Sequence, residues 1–158
     1  MKPTEKEKAI SNYYRRLNRF RKLFRALSDL PDSYFITITQ NTKRRKNRND
    51  LMKFLNNIRK GIKSGNSPYL YVIETHKTGE YHGHMITSEK GAGHFMRNYT
   101  AGFTYVEEIK GNIYNEMVKY LTKKTNGTRS YYANKIARAI KTEYHRKIKE
   151  RERTGEIA

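Results

Sequence analysis

The chain has 158 residues, enough for one domain with a single modest core. Its 34 Lys and Arg outnumber 15 Asp and Glu, and a formal net charge of +19 makes nucleic acid the leading partner, with a basic structural or ribosomal-type protein as the plain alternative. The absence of cysteine excludes disulfides, thiolate zinc sites and cysteine nucleophiles, and no segment approaches the roughly 20 apolar residues of a membrane span.

The charged start, Met1-Lys-Pro-Thr-Glu-Lys-Glu-Lys, has no apolar run behind it, so a secretory leader is not expected and a cytoplasmic location is. From Glu5 to Leu27 the residues Ile10, Tyr13, Leu17, Phe20, Phe24 and Leu27 recur at three- and four-residue steps, the stripe of a basic amphipathic helix. Asp29 to Asp32, with Pro31, ends it. Ser33 to Gln40 is β-branched and aromatic and reads as a strand. Asn41 to Asn49 carries Lys43, Arg44, Arg45, Lys46 and Arg48, a basic loop suited to tracking phosphates. Asn49 or Asp50 can cap a helix through Leu51, Phe54, Leu55, Ile58 and Ile62.

Pro68 to Thr75 is the second predicted strand and Glu80 to Thr87 the third. Ser88 to Gly93 reads as a break before a short helix reaching about Tyr99. Gly102 to Ile109 is a fourth strand, and Asn112 caps a helix through Ile113, Met117, Tyr120 and Leu121. After Asn126-Gly127 a basic helix is expected from about Tyr131 to Glu152, with Glu143 paired to Lys147, as a solvated arm. The order β-α-β-β-α-β predicts an α+β, ferredoxin-like fold: an antiparallel sheet with helices mainly on one face, plus N-terminal and C-terminal helices. The chain divides into a basic helix over 1–30, packed on or extending from the domain, a core over 31–132, and a basic C-terminal helix over 133–158. All three belong to one domain.

The chemistry concentrates at Glu74-Thr-His-Lys-Thr-Gly-Glu-Tyr-His82-Gly-His84. His82 and His84 are two apart on a strand, so both imidazoles face one side. The turn between the strands offers two registers. A two-residue loop, Thr78-Gly79, pairs Glu74 with Gly83 and turns it away from the histidines. A three-residue loop ending in Gly79 pairs Glu74 with His82, roughly 5 Å across the ladder. We take the second, which puts a carboxylate beside two imidazoles as a candidate metal site.

The pattern Glu74-x-His76-x-x-Gly79-x-x-His82-x-His84 resembles the metal motif of the HUH replication initiators. These are the rolling-circle Rep endonucleases of small plasmids, phages and circular single-stranded DNA viruses. Gly83 departs from that family, whose middle position is usually a bulky hydrophobic residue; Tyr81 or Met85 is expected to fill the space. The resemblance covers residues 33 to about 132. It implies Mg²⁺ or Mn²⁺ on Glu74, His82 and His84. Two imidazoles favour the softer Mn²⁺, and Zn²⁺ stays open.

The family also carries a tyrosine followed closely by lysine, and Tyr120-Leu-Thr-Lys123-Lys124 resembles that motif. The resemblance implies Tyr120 as nucleophile, Lys123 as the cation stabilising phenolate or phosphate, and Lys124 as its substitute. No second tyrosine follows one turn later, so the chain resembles the single-tyrosine type. Thr37 and Thr39 resemble the family's first motif, a threonine-bearing strand beside the site. Arg129, Tyr131 and Tyr132 combine a cation with rings and suit an unpaired strand, although a core role for one tyrosine is the simpler account.

The expected activity is nicking and rejoining of single-stranded DNA at a replication origin through a 5′-phosphotyrosine link. No G-x-x-x-x-G-K-[ST] loop is present, so a host or separate helicase, with a polymerase, is the expected partner. A single-tyrosine transposase and a non-catalytic nucleic-acid-binding domain are the alternatives.

Overall fold

The computed structural model describes residues 1–40, 48–75, 81–109, 112–119, 121 and 131–155. Five helices and five strands follow in the order α1 (Glu5–Ser28), β1 (Ser33–Thr39), α2 (Arg48–Ile62), β2 (Tyr69–Thr75), β3 (Tyr81–Ser88), α3 (Glu89–Asn98), β4 (Thr104–Glu108), α4 (Ile113–Val118), β5 (Tyr132–Ala133) and α5 (Lys135–Thr154). The sheet order is β4-β1-β3-β2-β5, with every neighbouring pair antiparallel. Omitting β5, this is the split βαββαβ arrangement of the ferredoxin-like fold, as the element order predicts. Among the described residues no helix is long and apolar enough to cross a membrane.

Apolar residues occur on both faces of the central strands, and each face buries its own cluster. On one face Ile36, Ile38, Tyr69, Tyr71, Ile73, Tyr81 and Met85 pack against Leu51, Phe54, Leu55 and Ile58 of α2 and Ala92 and Phe95 of α3. On the other, Phe35, Leu70, Val72 and Ile86 pack against Phe20, Leu23 and Leu27 of α1, with Ile113, Met117, Leu121 and Ala137. The two crossover helices thus share one face, and the terminal helices with α4 cover the other. Both layers exclude water from β2, which explains its nearly unbroken apolar run up to Ile73. Glu74 ends that run.

Several boundaries differ from the expected ones for local reasons. Arg48 opens α2 rather than closing the basic loop. Helix α3 begins directly after Ser88, whose hydroxyl caps it by accepting from the Gly91 N–H at 3.1 Å. Gly91 is therefore helical, not a break; its Cα lies so close to β3 that a methyl there would meet Thr87 Oγ1 at 2.0 Å. Helix α4 stops at Val118, short of the predicted Tyr120 and Leu121.

The C-terminal helix starts at Lys135, not Tyr131, because Asn134 caps it and ties it to β2. Its Oδ1 accepts from the N–H groups of Ala137 and Tyr69, each at 3.0 Å, and its Nδ2 donates to Ser67 O at 2.8 Å. Tyr132 and Ala133 then run along β2 as β5. Nor is α5 a solvated arm throughout: Tyr144 bonds the Asp29 carboxylate, and His145 Nε2 donates to Lys22 O at 3.1 Å on α1. Glu143 pairs in the structure with Arg146, at 2.7 Å, instead of the expected Lys147.

Burial raises the phenol pKa of Tyr69, Tyr81 and Tyr99 and pushes Tyr71 up to about 12, partly opposed at Tyr71 by the Arg59 guanidinium. A folded-state pKa above the unfolded one stabilises the fold below about pH 10 and is lost as pH rises through the folded value. Denaturant unfolding should accordingly show stability falling above about pH 10, with a shallower fall in Tyr71→Phe.

Gly83 and Gly91 give a second, opposed pair of expectations. A methyl on Gly83 would lie 3.4 Å from Ile38 and 3.5 Å from Ile58, ordinary contact distances. Gly83→Ala should leave the melting temperature unchanged or raise it, whereas Gly91→Ala should cost about 1–3 kcal/mol through overpacking.

Candidate metal centre

The centre of the site is the β2–β3 ladder. Its register pairs Glu74 with His82 and Val72 with His84, so the three-residue-loop alternative describes the strands that flank the turn. Residues 76–80, including His76 and Gly79, lie outside the described residues. On the far side of β3, Thr37 pairs with His84 and Thr39 with His82. Alternation along the strands then puts Thr37, Thr39, Glu74, His82 and His84 on one sheet face. It is the α1 and α4 face, at the strand ends beyond the apolar cluster.

Glu74 and His84 are in direct contact. Glu74 Oε2 lies 2.9 Å from His84 Nε2, and the two side chains are only 15% and 5% exposed. The His84 ring also stacks on Phe35, with centroids 5.6 Å apart and planes 6° from parallel. The imidazole is therefore held by a ring below and a carboxylate beside it, and Nε2 is aimed at the oxygen. His82 stands opposite Glu74 on the ladder and is half-buried. Among the described residues no group of three or more His, Asp or Glu side chains is close enough to share an ion. The pair Glu74–His84 is in place, and His82 is aligned with it through the backbone.

This donor set fits a divalent ion. Metal–ligand bonds to imidazole nitrogen or carboxylate oxygen run about 2.0–2.2 Å, so neighbouring ligands at right angles stand roughly 3 Å apart. The observed 2.9 Å between Nε2 and Oε2 has that spacing. Without a metal the same contact requires a proton on Nε2.

Gly83 also finds its explanation here. It lies on the opposite face, over Ile38 and Ile58 of α2, where a large side chain has no room. Tyr81 and Met85, its neighbours on that face, are buried in the same cluster and fill the layer, as expected.

The remaining predicted residues divide. Thr39 is occupied in closing the sheet: its Oγ1 donates to Phe103 O at 3.0 Å and accepts from Phe103 N at 3.0 Å. Thr37 lies between His84 and Tyr105 in the ladder. Tyr131 and Tyr132, grouped in the sequence, part to opposite sides of β5. The Tyr131 ring packs on Phe20, in the cluster under α1, and the Tyr132 ring stacks on Tyr71, on the α2 face. Tyr120, Lys123, Lys124, Arg129, Lys43, Arg44 and Arg45 lie outside the described residues. On either side of Tyr120, Met117 and Leu121 are buried in the cluster on the Glu74 face.

Two residues on this face are not singled out by sequence pattern. Phe103 and Tyr105 are 75% and 65% exposed, on or beside the edge strand β4. Tyr105 pairs with Thr37, and Phe103 is bonded to Thr39, so two rows cross the sheet: Phe103–Thr39–His82–Glu74 and Tyr105–Thr37–His84–Val72. Both rings thus share the sheet face of the histidines. Alternating aromatics in a predicted strand were visible, but their exposure depends on β4 being an edge.

Comparison with known proteins agrees with this geometry at the level of family. No curated protein and no solved structure gives a significant match. The family model of Replication-associated protein ORF2 matches residues 33–125. That span opens at the first residue of β1, takes in the whole Glu74–His84 hairpin and covers more than half of the sequence. The chain belongs to the replication-associated protein ORF2 family.

Proposed function

We propose that the protein is a metal-dependent endonuclease that nicks and rejoins single-stranded DNA at a replication origin, initiating rolling-circle-type replication of a virus or plasmid. A role in replication follows from the family. The observation that carries the finer reading is the Glu74–His84 contact at 2.9 Å, aligned with His82 on a face that is otherwise apolar at its other end.

In this reading Glu74, His82 and His84 hold Mn²⁺ or Mg²⁺. When bound, the ion supplies Lewis-acid polarisation of a non-bridging phosphate oxygen. Phe35 and Glu74 fix the His84 ring, so one ligand needs little reorganisation. Tyr120 attacks phosphorus in line. Its O–P bond forms as the bond from phosphorus to the 3′ oxygen breaks, the phenol proton is lost, and the leaving oxygen is protonated. The products are a 5′-phosphotyrosine and a free 3′-OH, and the reverse step rejoins strands. A phenol of pKa about 10 needs assistance at neutral pH, which Lys123, or Lys124 in its place, provides as a nearby cation. Phe103 and Tyr105 offer flat exposed rings for the bases flanking the cut. The basic segment Lys43, Arg44 and Arg45 contacts phosphates, and a separate helicase and polymerase extend the 3′ end.

The test is formation of a denaturation-resistant protein–DNA adduct on origin-containing single strands with Mn²⁺. It should form with the wild type and disappear in Tyr120→Phe or with chelator. An adduct that persists in either case contradicts the mechanism.

Phe103→Ala and Tyr105→Ala give an independent check. Each should weaken single-strand binding about tenfold, from the stacking energy of one base. Because both rings are exposed, melting temperatures should stay close to wild type. Unchanged affinity in the double variant would remove the platform from the account.

A further inference from the structure

A second candidate site lies on the opposite side of the sheet. A cleft of about 700 Å³ separates the C-terminal half of α2 from the β2–β5 edge. Its floor is the stacked pair Tyr71 and Tyr132, with ring centroids 5.0 Å apart and planes 12° from parallel. Its wall carries Arg59, Lys60 and Lys63, and amides come from Asn56 and Asn134. Among the described residues no carboxylate lines it.

Two of these features are held in place. Arg59 donates to Asn56 Oδ1 at 3.2 Å and hydrogen-bonds the Tyr71 hydroxyl, so its guanidinium stays beside the ring floor. Tyr132 is half-buried on β5, and Asn134 anchors that strand to β2. Cations in the last turn of a helix are favoured by the helix dipole alone. That effect explains Arg59 and Lys60, but neither the stacked tyrosine floor nor Lys63 beyond the helix end.

We propose that this cleft binds one nucleotide unit of single-stranded DNA, its base stacked against the Tyr132–Tyr71 floor and its phosphate held by Arg59, Lys60 and Lys63. Aromatic faces take any base, and converging cations take the backbone, which is the usual chemistry of single-strand binding. The volume suits one unstacked nucleotide and excludes a duplex. The site faces away from Glu74 and His84, since Tyr71 and Glu74 lie on opposite faces of β2. It therefore anchors a part of the strand remote from the cut. That the strand is DNA rests on the replication reading; the cleft itself does not depend on nicking.

The experiment uses the full chain in chelator, which silences any metal chemistry. A single-stranded DNA bearing 5-iodouracil is photo-crosslinked, the modified peptide is mapped, and affinity is measured by fluorescence anisotropy against salt. The crosslink should fall on Tyr132. Tyr132→Ala should abolish it and weaken binding about tenfold. Lys60→Gln with Lys63→Gln, both exposed and so harmless to folding, should lower the logarithmic salt slope by about 1.4. Wild-type affinity in Tyr132→Ala together with an unchanged slope in the lysine variant would overturn the proposal. Thymidine monophosphate binding as tightly as the strand would also overturn it, by assigning the cleft to free nucleotides. Failure of the Tyr120 adduct with the Tyr132 crosslink intact would sink the nicking mechanism and leave this site standing; the converse result would do the reverse.

Discussion

The hydrogen-bond register between β2 and β3 decides what this protein can do. A one-residue slip would send Glu74 to the α2 face and leave His82 and His84 without a carboxylate. In the observed register Glu74 stands opposite His82 and touches His84 Nε2. The same register buries Val72 and Ile86 under α1 and Ile73 and Met85 under α2. Hydrophobic burial on both faces therefore fixes the position of three polar residues that contribute little to the core.

The α1 face divides along the strands. At one end Phe35, Leu70, Val72 and Ile86 are sealed by α1, Met117 and Leu121; at the other the chain exposes Phe103 and Tyr105. His84 stands at the boundary, stacked on Phe35 and bonded to Glu74. A buried imidazole between a ring and a carboxylate is confined to one orientation, as a metal ligand or a reacting group requires. The opposite face has a different composition, with the tyrosine-floored cleft at its β5 edge. With a net charge of +19, both faces sit in a field that attracts a polyanionic strand.

The parts legible in the sequence were those with short-range signals. Alternation in Phe35 to Thr39 and in Tyr69 to Thr75, the stripe of α1 and the element order were enough for the ferredoxin-like topology. The hairpin register followed from turn geometry, and Gly83 was expected to face the helix layer, where Ile38 and Ile58 meet it. What escaped depends on tertiary context. Two glycines after Ser88 looked like a break, but Gly91 is required by its closeness to Thr87, and Ser88 caps the helix. Tyr131 and Tyr132 looked helical because a basic helix follows, yet Asn134 bonds to Ser67 and Tyr69 make them an edge strand. Neither the cleft nor the Phe103–Tyr105 face could be read locally, since both need the order of strands across the sheet.

The central claim is that Glu74, His82 and His84 together hold one divalent ion. Titration of Mn²⁺ followed by electron paramagnetic resonance tests it most directly, since the spectrum counts bound ions and registers nitrogen ligands. One ion per chain with two imidazole nitrogens coupled to it is the expected result, with loss of that signal in Glu74→Gln, His82→Ala and His84→Ala. Binding that survives all three substitutions, or a bound ion without nitrogen coupling, would contradict it.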